Sequence, residues 1–198
     1  LLWFGWFGFN AGSALEANSL AALAFVNTMA APMASLVTWM LIDLIRTGKA
    51  TAVGAATAVI VGLVAVTPAA GHVTPFSAIV IGFLATFPSY YALTVRPRTK
   101  LDDSLDVFAG HGLGGISGAL LTGVFASAKF GTAGALEGNI KLVGIQLVAV
   151  LAAMIFSAIG TLAILKVISF FVPIRIDNKD ERRGLDLTAH GEEAYVTG

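Results

Sequence analysis

The sequence contains no cysteine and has little charge of either sign, because charged residues make up only 12% of its 198 positions. The absence of cysteine excludes disulfide bonds and thiolate metal sites. A soluble domain carries roughly 25% charged residues, so this chain has too few to be solvated on every face. Apolar residues instead make up 57% of the positions. The composition therefore indicates a protein embedded in a membrane.

Long apolar stretches predict an all-α, polytopic membrane protein with six transmembrane helices. A window of about 20 apolar residues is long enough to cross a bilayer as a helix. Polar or proline-containing breaks separate the stretches, which cover 1–15, 20–45, 51–68, 76–95, 104–127 and 141–172. The first is too short for a complete span, and Leu1 falls within an apolar pattern. We therefore expect that a longer protein contains this sequence.

The distribution of basic residues predicts the orientation. If the six spans alternate in direction, nine Lys and Arg residues fall on one side and two, Lys129 and Lys141, on the other. Lys166 can reach the richer side from within its span. Because Lys and Arg concentrate in cytoplasmic loops, we expect a cell-membrane protein with a cytoplasmic C-terminus. Pro173 ends the last apolar stretch, which divides the chain into membrane helices (1–172) and a tail (173–198).

The most informative segment, 104–118, places His111 among glycines inside a predicted span. An ionisable side chain in hydrocarbon is costly, so His111 is a candidate functional residue. The alternative is a structural histidine that bonds to a neighbouring helix. A neutral imidazole donates a hydrogen bond through one nitrogen and accepts one through the other. Such a group suits the passage of a proton or of a small polar molecule.

The glycines around His111 predict close helix packing. Gly110, Gly114 and Gly118 recur every four residues, which gives a helix a bare stripe, and Gly112 is assigned to the same role. Residues 110–115 also match the G-x-G-x-x-G dinucleotide fingerprint. That motif requires a preceding strand, and here it lies in a membrane span. We therefore expect no cofactor, and no metal or nucleic-acid partner either.

A second unusual segment, 3–13, alternates aromatic residues with glycine. An interfacial aromatic belt explains Trp3 and Trp6 about as well as a function does. Asn10 must find a polar partner within the span. Phe9 lies farther in, where a phenyl face near a pore mouth attracts a desolvated cation by ~0.5–2 kcal/mol.

Three other ionisable groups have simpler interpretations. Asp106 is predicted to be a helix-terminal charge or a loop cap. Asp43 beside Arg46 indicates an ion pair at a helix end. His72 falls in the 68–75 loop, where we expect a surface residue.

Taken together, these segments resemble the C-terminal half of the ammonium transporter family (the Amt, MEP and Rh proteins). The resemblance is carried by residues 6–13, by 106–115, and by the tail residues 184–186, 190–192 and 194–195. It implies a homotrimer of eleven-span protomers, each with its own narrow pore between two inverted five-helix halves. This chain would hold the sixth to eleventh spans. The implied substrate is ammonium or ammonia, and the implied protein is not an enzyme.

The resemblance also implies roles for individual residues. His111 resembles the second of two paired pore histidines, Phe9 one ring of an outer gate, and Ser13 part of an outer recruitment site. Further pore-lining positions are implied at Trp6, Ile60, Thr67 and Val107. The tail resembles a segment that meets a PII-type signalling protein, through Gly184, Asp186, His190 and Tyr195.

The other histidine and the other gate phenylalanine of the family are absent from this sequence, so we expect it to supply half of a hydrophobic pore. Two alternatives to a transporter stay open. One is an ammonium sensor that signals through a PII-type partner. The other is a gas channel of the Rh type, although the 6–13 segment and the tail favour the microbial and plant branch.

Overall fold

A computed structural model describes residues 1–195, which contain helices and loops and no β-strand. Six helices follow one another in the apolar part of the chain, and a short seventh lies in the tail. In order they are α1 (Leu2–Gly12), α2 (Ser19–Thr47), α3 (Ala52–Val66), α4 (Pro75–Val95), α5 (Gly114–Phe125), α6 (Lys141–Ile168) and α7 (Asn178–Arg183). A π-helical turn, Phe108–Leu113, leads into α5. The predicted all-α fold is confirmed.

Each of the six predicted spans corresponds to a helix, but the helices differ in length. Within residues 1–195, four helical stretches are long and apolar enough to cross a bilayer: Ser19–Thr47, Pro75–Arg98, Phe108–Phe125 and Lys141–Ile168. α3 is apolar but has 15 residues, which extend about 22 Å at 1.5 Å per residue. α1 has 11 residues. The fifth span begins later than predicted, at Phe108, because the residues before it form a loop.

Side-chain caps explain where several helices begin. The Asn18 side chain accepts a hydrogen bond from the Ala21 N–H at the start of α2. Thr51 caps α3 in the same way, and Thr74 caps α4 immediately before a proline at its first position. These oxygens satisfy backbone N–H groups that have no partner within the helix. Gly48 follows the last residue of α2, and its φ of 73° is a left-handed conformation that glycine adopts readily.

The core lies where α2, α3 and α4 pack against one another. Small residues allow these backbones to approach closely, as is usual for helices in membranes. A Cβ added at Gly62 would lie 2.8 Å from the backbone nitrogen of Pro32, and one at Gly82 would lie 2.8 Å from the carbonyl carbon of Ala31. The buried hydroxyl of Ser35 donates to the Ala58 carbonyl oxygen at 2.7 Å. The three helices form a tightly packed frame.

The chain divides into two compact units, residues 1–150 and 151–198. The second unit contains the end of α6, whose side chains are mostly exposed and apolar around the whole helix. A helix that is apolar on every side is typical of a lipid-facing span. The predicted boundary at residue 172 marks a change of composition, and it stays a prediction.

Candidate functional site

A cavity of about 250 Å³ lies between the end of α1, the beginning of α2 and the loop that follows α3. Its lining combines apolar and polar residues, including Phe9, Ser13, Thr67 and His72. Phe9 is 62% exposed, and the Ser13 hydroxyl donates to the Phe9 carbonyl oxygen at 2.7 Å. The structure thus brings three predicted site residues to one cavity. It adds His72, which is exposed, as the sequence predicted.

A hydrogen bond and a ring stack connect this cavity with His111. The Trp6 Nε1–H donates to the Thr67 hydroxyl oxygen at 2.8 Å, although 61 residues separate the two in sequence. The Trp6 ring also stacks on the His111 imidazole, with ring centroids 6.5 Å apart and an interplanar angle of 22°. The rings of Phe9 and Trp6 lie nearly perpendicular to each other, with centroids 6.1 Å apart. Trp6 therefore links Thr67, a residue of the cavity lining, with the intramembrane histidine.

Two buried polar residues on α2 hold the cavity walls in place. The amide of Asn10 donates to the Thr28 hydroxyl at 2.9 Å, which supplies the partner that the sequence required. Asn27 donates to the carbonyl oxygens of Ala70 and Val73, at 2.8 and 2.9 Å, and so fixes the α3–α4 loop. Sequence reasoning assigned no role to Asn27 or Thr28. Their signal was a pair of consecutive polar residues within an apolar stretch of α2.

His111 lies in the π-helical turn before α5, and Asp103 caps that turn. The two carboxylate oxygens of Asp103 accept the N–H groups of Val107 and Phe108, at 2.9 and 2.8 Å. The Phe108 N–H is the main cause that holds the pKa of Asp103 below its ordinary value. The sequence did not single out Asp103. An acidic residue a few positions before a helix was the available signal.

Asp106 forms an ion pair with Arg96, whose Nε lies 2.9 Å from the Asp106 carboxylate. The φ of Asp106 is +56°, which is uncommon for a residue with a side chain. Arg96 also donates to the carbonyl oxygen of Asp103. The end of α4 is therefore fastened to the loop that leads into the His111 turn. Asp43, predicted to pair with Arg46, instead accepts the Tyr90 hydroxyl at 2.9 Å, and the Arg46 guanidinium lies over that ring.

The other predicted pore positions lie outside the described lining of the cavity. Ile60, half-buried on α3, and Val107, which is exposed, are not among the described residues that line it. His111 is itself exposed on the surface of the chain. A second, larger groove of about 670 Å³ runs between α2 and α4, but its lining is almost wholly apolar and includes none of the predicted residues. The mixed cavity is the better candidate site.

The four glycines near His111 differ in their surroundings. A Cβ at Gly118 would lie 2.7 Å from the Cα and carbonyl carbon of Ala65 on α3, so the two backbones are in close contact. A Cβ at Gly114 would meet a Val64 methyl at 3.5 Å, an ordinary contact. At Gly112 it would meet the Phe108 ring at 3.3 Å, and at Gly110 nothing within 4 Å in the described chain.

The tail residues form a local hydrogen-bonded loop in the second unit. Asp186 accepts the Ala194 N–H at its carboxylate, at 3.1 Å, and the Glu192 N–H at its carbonyl oxygen, at 3.0 Å. The Ala194 N–H is the main cause that holds the pKa of Asp186 below its ordinary value. Gly184 has a φ of +101°, and His190 ends the π-helical turn that Asp186 begins. Tyr195 is 87% exposed.

Comparison with known proteins finds one family over almost the entire chain. The model of the Ammonium Transporter Family matches residues 1–195. The ammonium transporter of Bacillus subtilis (strain 168) is 44% identical over 199 residues, which cover 98% of this chain and 49% of that protein. The chain thus spans about half the length of this curated relative.

Solved structures give the same result for the fold. The crystal structure of Saccharomyces cerevisiae Mep2 superimposes with a TM-score of 0.83 at 35% identity, covering 90% of this chain and 42% of that one. A structure described as a sensor Amt protein gives a TM-score of 0.84 at 31% identity, covering 98% and 47%.

Proposed function

The chain belongs to the Ammonium Transporter Family, and from that premise we propose that it forms one half of a pore that carries ammonium or ammonia across a membrane. The observation that carries this proposal is the contact series from Thr67 through Trp6 to His111. It leads from a cavity with polar groups to an imidazole inside a span.

The residues of the cavity and of this contact series suit successive steps of transport. At the cavity, the Phe9 ring offers a π face and Ser13 offers a hydroxyl oxygen to an ammonium ion. Beyond it, aromatic and apolar side chains cannot replace the hydration shell of a charge, so an ion that enters is favoured to transfer a proton to the pore imidazoles, which relay it separately from the ammonia. The imidazole of His111 can accept a hydrogen bond from the resulting ammonia and donate one in turn.

We further propose that His111 is one of a pair of pore histidines, the second being contributed by a counterpart half. His111 and Phe9 are both exposed on the surface of this chain, although they are the residues with the strongest reason to be enclosed. A counterpart half that covers this face would enclose both. The family resemblance supports assembly of such protomers into a homotrimer in a cell membrane.

The tail is proposed to lie in the cytoplasm and to bind a PII-type regulator. The excess of basic residues in the loops on its side supports this orientation. The hydrogen bonds of Asp186 give the segment a defined local shape, and the exposed Tyr195 is available to a partner. A partner that recognises this shape should bind less well when it is disrupted.

A sensor is the second candidate function, and the likeness to the sensor Amt protein favours it specifically. A sensor would bind ammonium in the same cavity with little flux. Proteoliposomes that contain only the purified protein distinguish the two, because a transporter gives an ammonium-elicited current or a change of internal pH there and a sensor gives neither.

The test uses a full-length composite transporter, in which this chain replaces the matching segment of the Bacillus subtilis relative. The composite should give ammonium-elicited currents, and Trp6→Phe should reduce them by about fivefold, since one hydrogen bond of roughly 1 kcal/mol is lost. The matched control is Trp3→Phe on the same helix, because Trp3 Nε1 donates to the Thr28 carbonyl oxygen and does not contact the cavity. A folded trimeric composite that gives neither a current nor an ammonium-driven change of internal pH would refute the transport proposal. Equal currents from both variants would refute the role of Trp6.

A further inference from the structure

The cavity contains a titratable group that the proposed function does not use. His72 lies in the α3–α4 loop, is exposed, and lines the cavity together with Phe9, Ser13 and Thr67. Among the described residues of the lining, it alone has an ionisable side chain. A charge at this position would therefore act on a cation that enters the cavity.

The backbone of His72 is held in place on both sides. Its N–H donates to the Ala69 carbonyl oxygen at 2.8 Å, and its carbonyl oxygen accepts the Ser127 N–H at 2.9 Å. Asn27 holds the residues on either side of it through Ala70 and Val73. Because both main-chain polar groups of His72 are engaged, the group that this residue can offer a ligand is its imidazole.

We propose that His72 is a further cation-recruiting residue, whose imidazole accepts a hydrogen bond from ammonium in the cavity. The inference rests on the proposed function, in which ammonium enters through this cavity. A positive charge placed at this position should have the opposite effect. Two positive charges about 6 Å apart repel enough, even in water, to weaken binding roughly threefold.

The other charged groups near this loop are engaged elsewhere. Glu16, in the α1–α2 loop, accepts a hydrogen bond from the side-chain amide of Asn18. In the α5–α6 loop, the Lys129 ammonium lies over an aromatic ring at 5.6 Å, and the Glu137 carboxylate accepts the Ala128 N–H at 2.7 Å. We therefore assign recruitment at this loop to His72 rather than to these groups.

The experiment measures the half-saturation concentration of ammonium for currents in the composite transporter. His72→Gln keeps a hydrogen-bond acceptor in its side-chain amide, His72→Ala removes the acceptor, and His72→Lys replaces it with a positive charge. His72→Ala should bind ammonium more weakly than the unsubstituted composite, and His72→Gln should restore most of the difference. His72→Lys should bind about threefold more weakly than the unsubstituted composite.

Lys129→Gln is the matched control, because it removes a charge from the neighbouring loop and should leave the half-saturation concentration unchanged. If His72→Ala binds ammonium as tightly as the unsubstituted composite, the inference is wrong, whereas the proposed transport would still stand. If the unsubstituted composite shows neither a current nor an ammonium-driven change of internal pH, the proposed function fails instead. If His72→Lys binds as tightly as the unsubstituted composite, a charge at this position does not act on the cation, and the inference is again overturned.

Discussion

Replacing Gly118 with alanine is expected to push α5 away from α3. A Cβ at this position would lie 2.7 Å from the Cα and carbonyl carbon of Ala65, and it would also meet the carbonyl oxygen of that residue. Carbon atoms in contact lie about 3.5–4.0 Å apart, so the helices must separate by roughly 1 Å. Since all three contacts are with backbone atoms, no side-chain rotation can relieve the overlap.

The energetic cost can be isolated with a second variant. Overpacking of this kind costs ~1–3 kcal/mol. Any glycine-to-alanine change in a helix also gains up to ~1 kcal/mol from helix propensity, which would mask part of that cost. Gly114→Ala, one turn earlier, adds a methyl group at 3.5 Å from Val64, an ordinary contact. The difference between the two variants cancels the propensity gain and leaves the overpacking cost.

The assay is thermal unfolding of the composite transporter in detergent, together with ammonium-elicited current. Gly118→Ala should unfold at a lower temperature than the wild type, and Gly114→Ala at the same temperature or a higher one. The current should fall in Gly118→Ala, because α5 continues directly from the turn that holds His111. If both variants unfold at the same temperature, α3 and α5 do not approach as closely as described, and the reasoning is refuted.

Two further predictions concern carboxylates outside the membrane-spanning segments. In both, the ionised carboxylate accepts the hydrogen bonds that stabilise the folded protein. The pKa of Asp103 is lowered chiefly by the Phe108 N–H, so its stabilisation of the His111 turn is complete above the unfolded pKa of about 3.9 and disappears as the pH falls through the lower folded value. Asp103→Asn should therefore reduce the ammonium current at neutral pH, and an unchanged current would contradict the capping role. The pKa of Asp186 is lowered chiefly by the Ala194 N–H, with the same sign and pH range. Asp186→Asn should speed hydrogen exchange of the Ala194 amide at neutral pH and weaken binding of a PII-type protein, whereas unchanged exchange would show that this hydrogen bond does not order the tail.

The helices were predictable because they follow from local composition. A long apolar window must form its backbone hydrogen bonds internally when it crosses a bilayer, so the helical fold could be read from the sequence. The exact ends could not. α3 stops at Val66, before the turn that contains Pro68, and the fifth span starts only at Phe108 because Asp103 caps the chain there. Such ends depend on side-chain partners that composition does not reveal.

The candidate site was predictable residue by residue but not as an arrangement. The cost of an ionisable group in hydrocarbon singled out His111, and the aromatic segment singled out Trp6 and Phe9. The bond between Trp6 and Thr67 joins residues that are far apart in sequence, and no local pattern encodes it. His72 is exposed, as predicted for a loop position, but no local pattern predicts that it lines the cavity. Its place beside the cavity depends on how the loop is held.

The way the loop is held explains why the cavity exists. Asn27 and Thr28 are both fully buried and occupy consecutive positions of α2, so their side chains point about 100° apart around the helix. Asn27 binds the α3–α4 loop, which carries one wall of the cavity, and Thr28 binds Asn10 on α1, which carries the other. A buried polar side chain that loses its partner is costly, so neither wall can shift without moving α2 or breaking such a bond. The spacing between Phe9 and His72, where we propose that ammonium is recruited, is therefore set by two residues that are not among the described residues of the cavity lining.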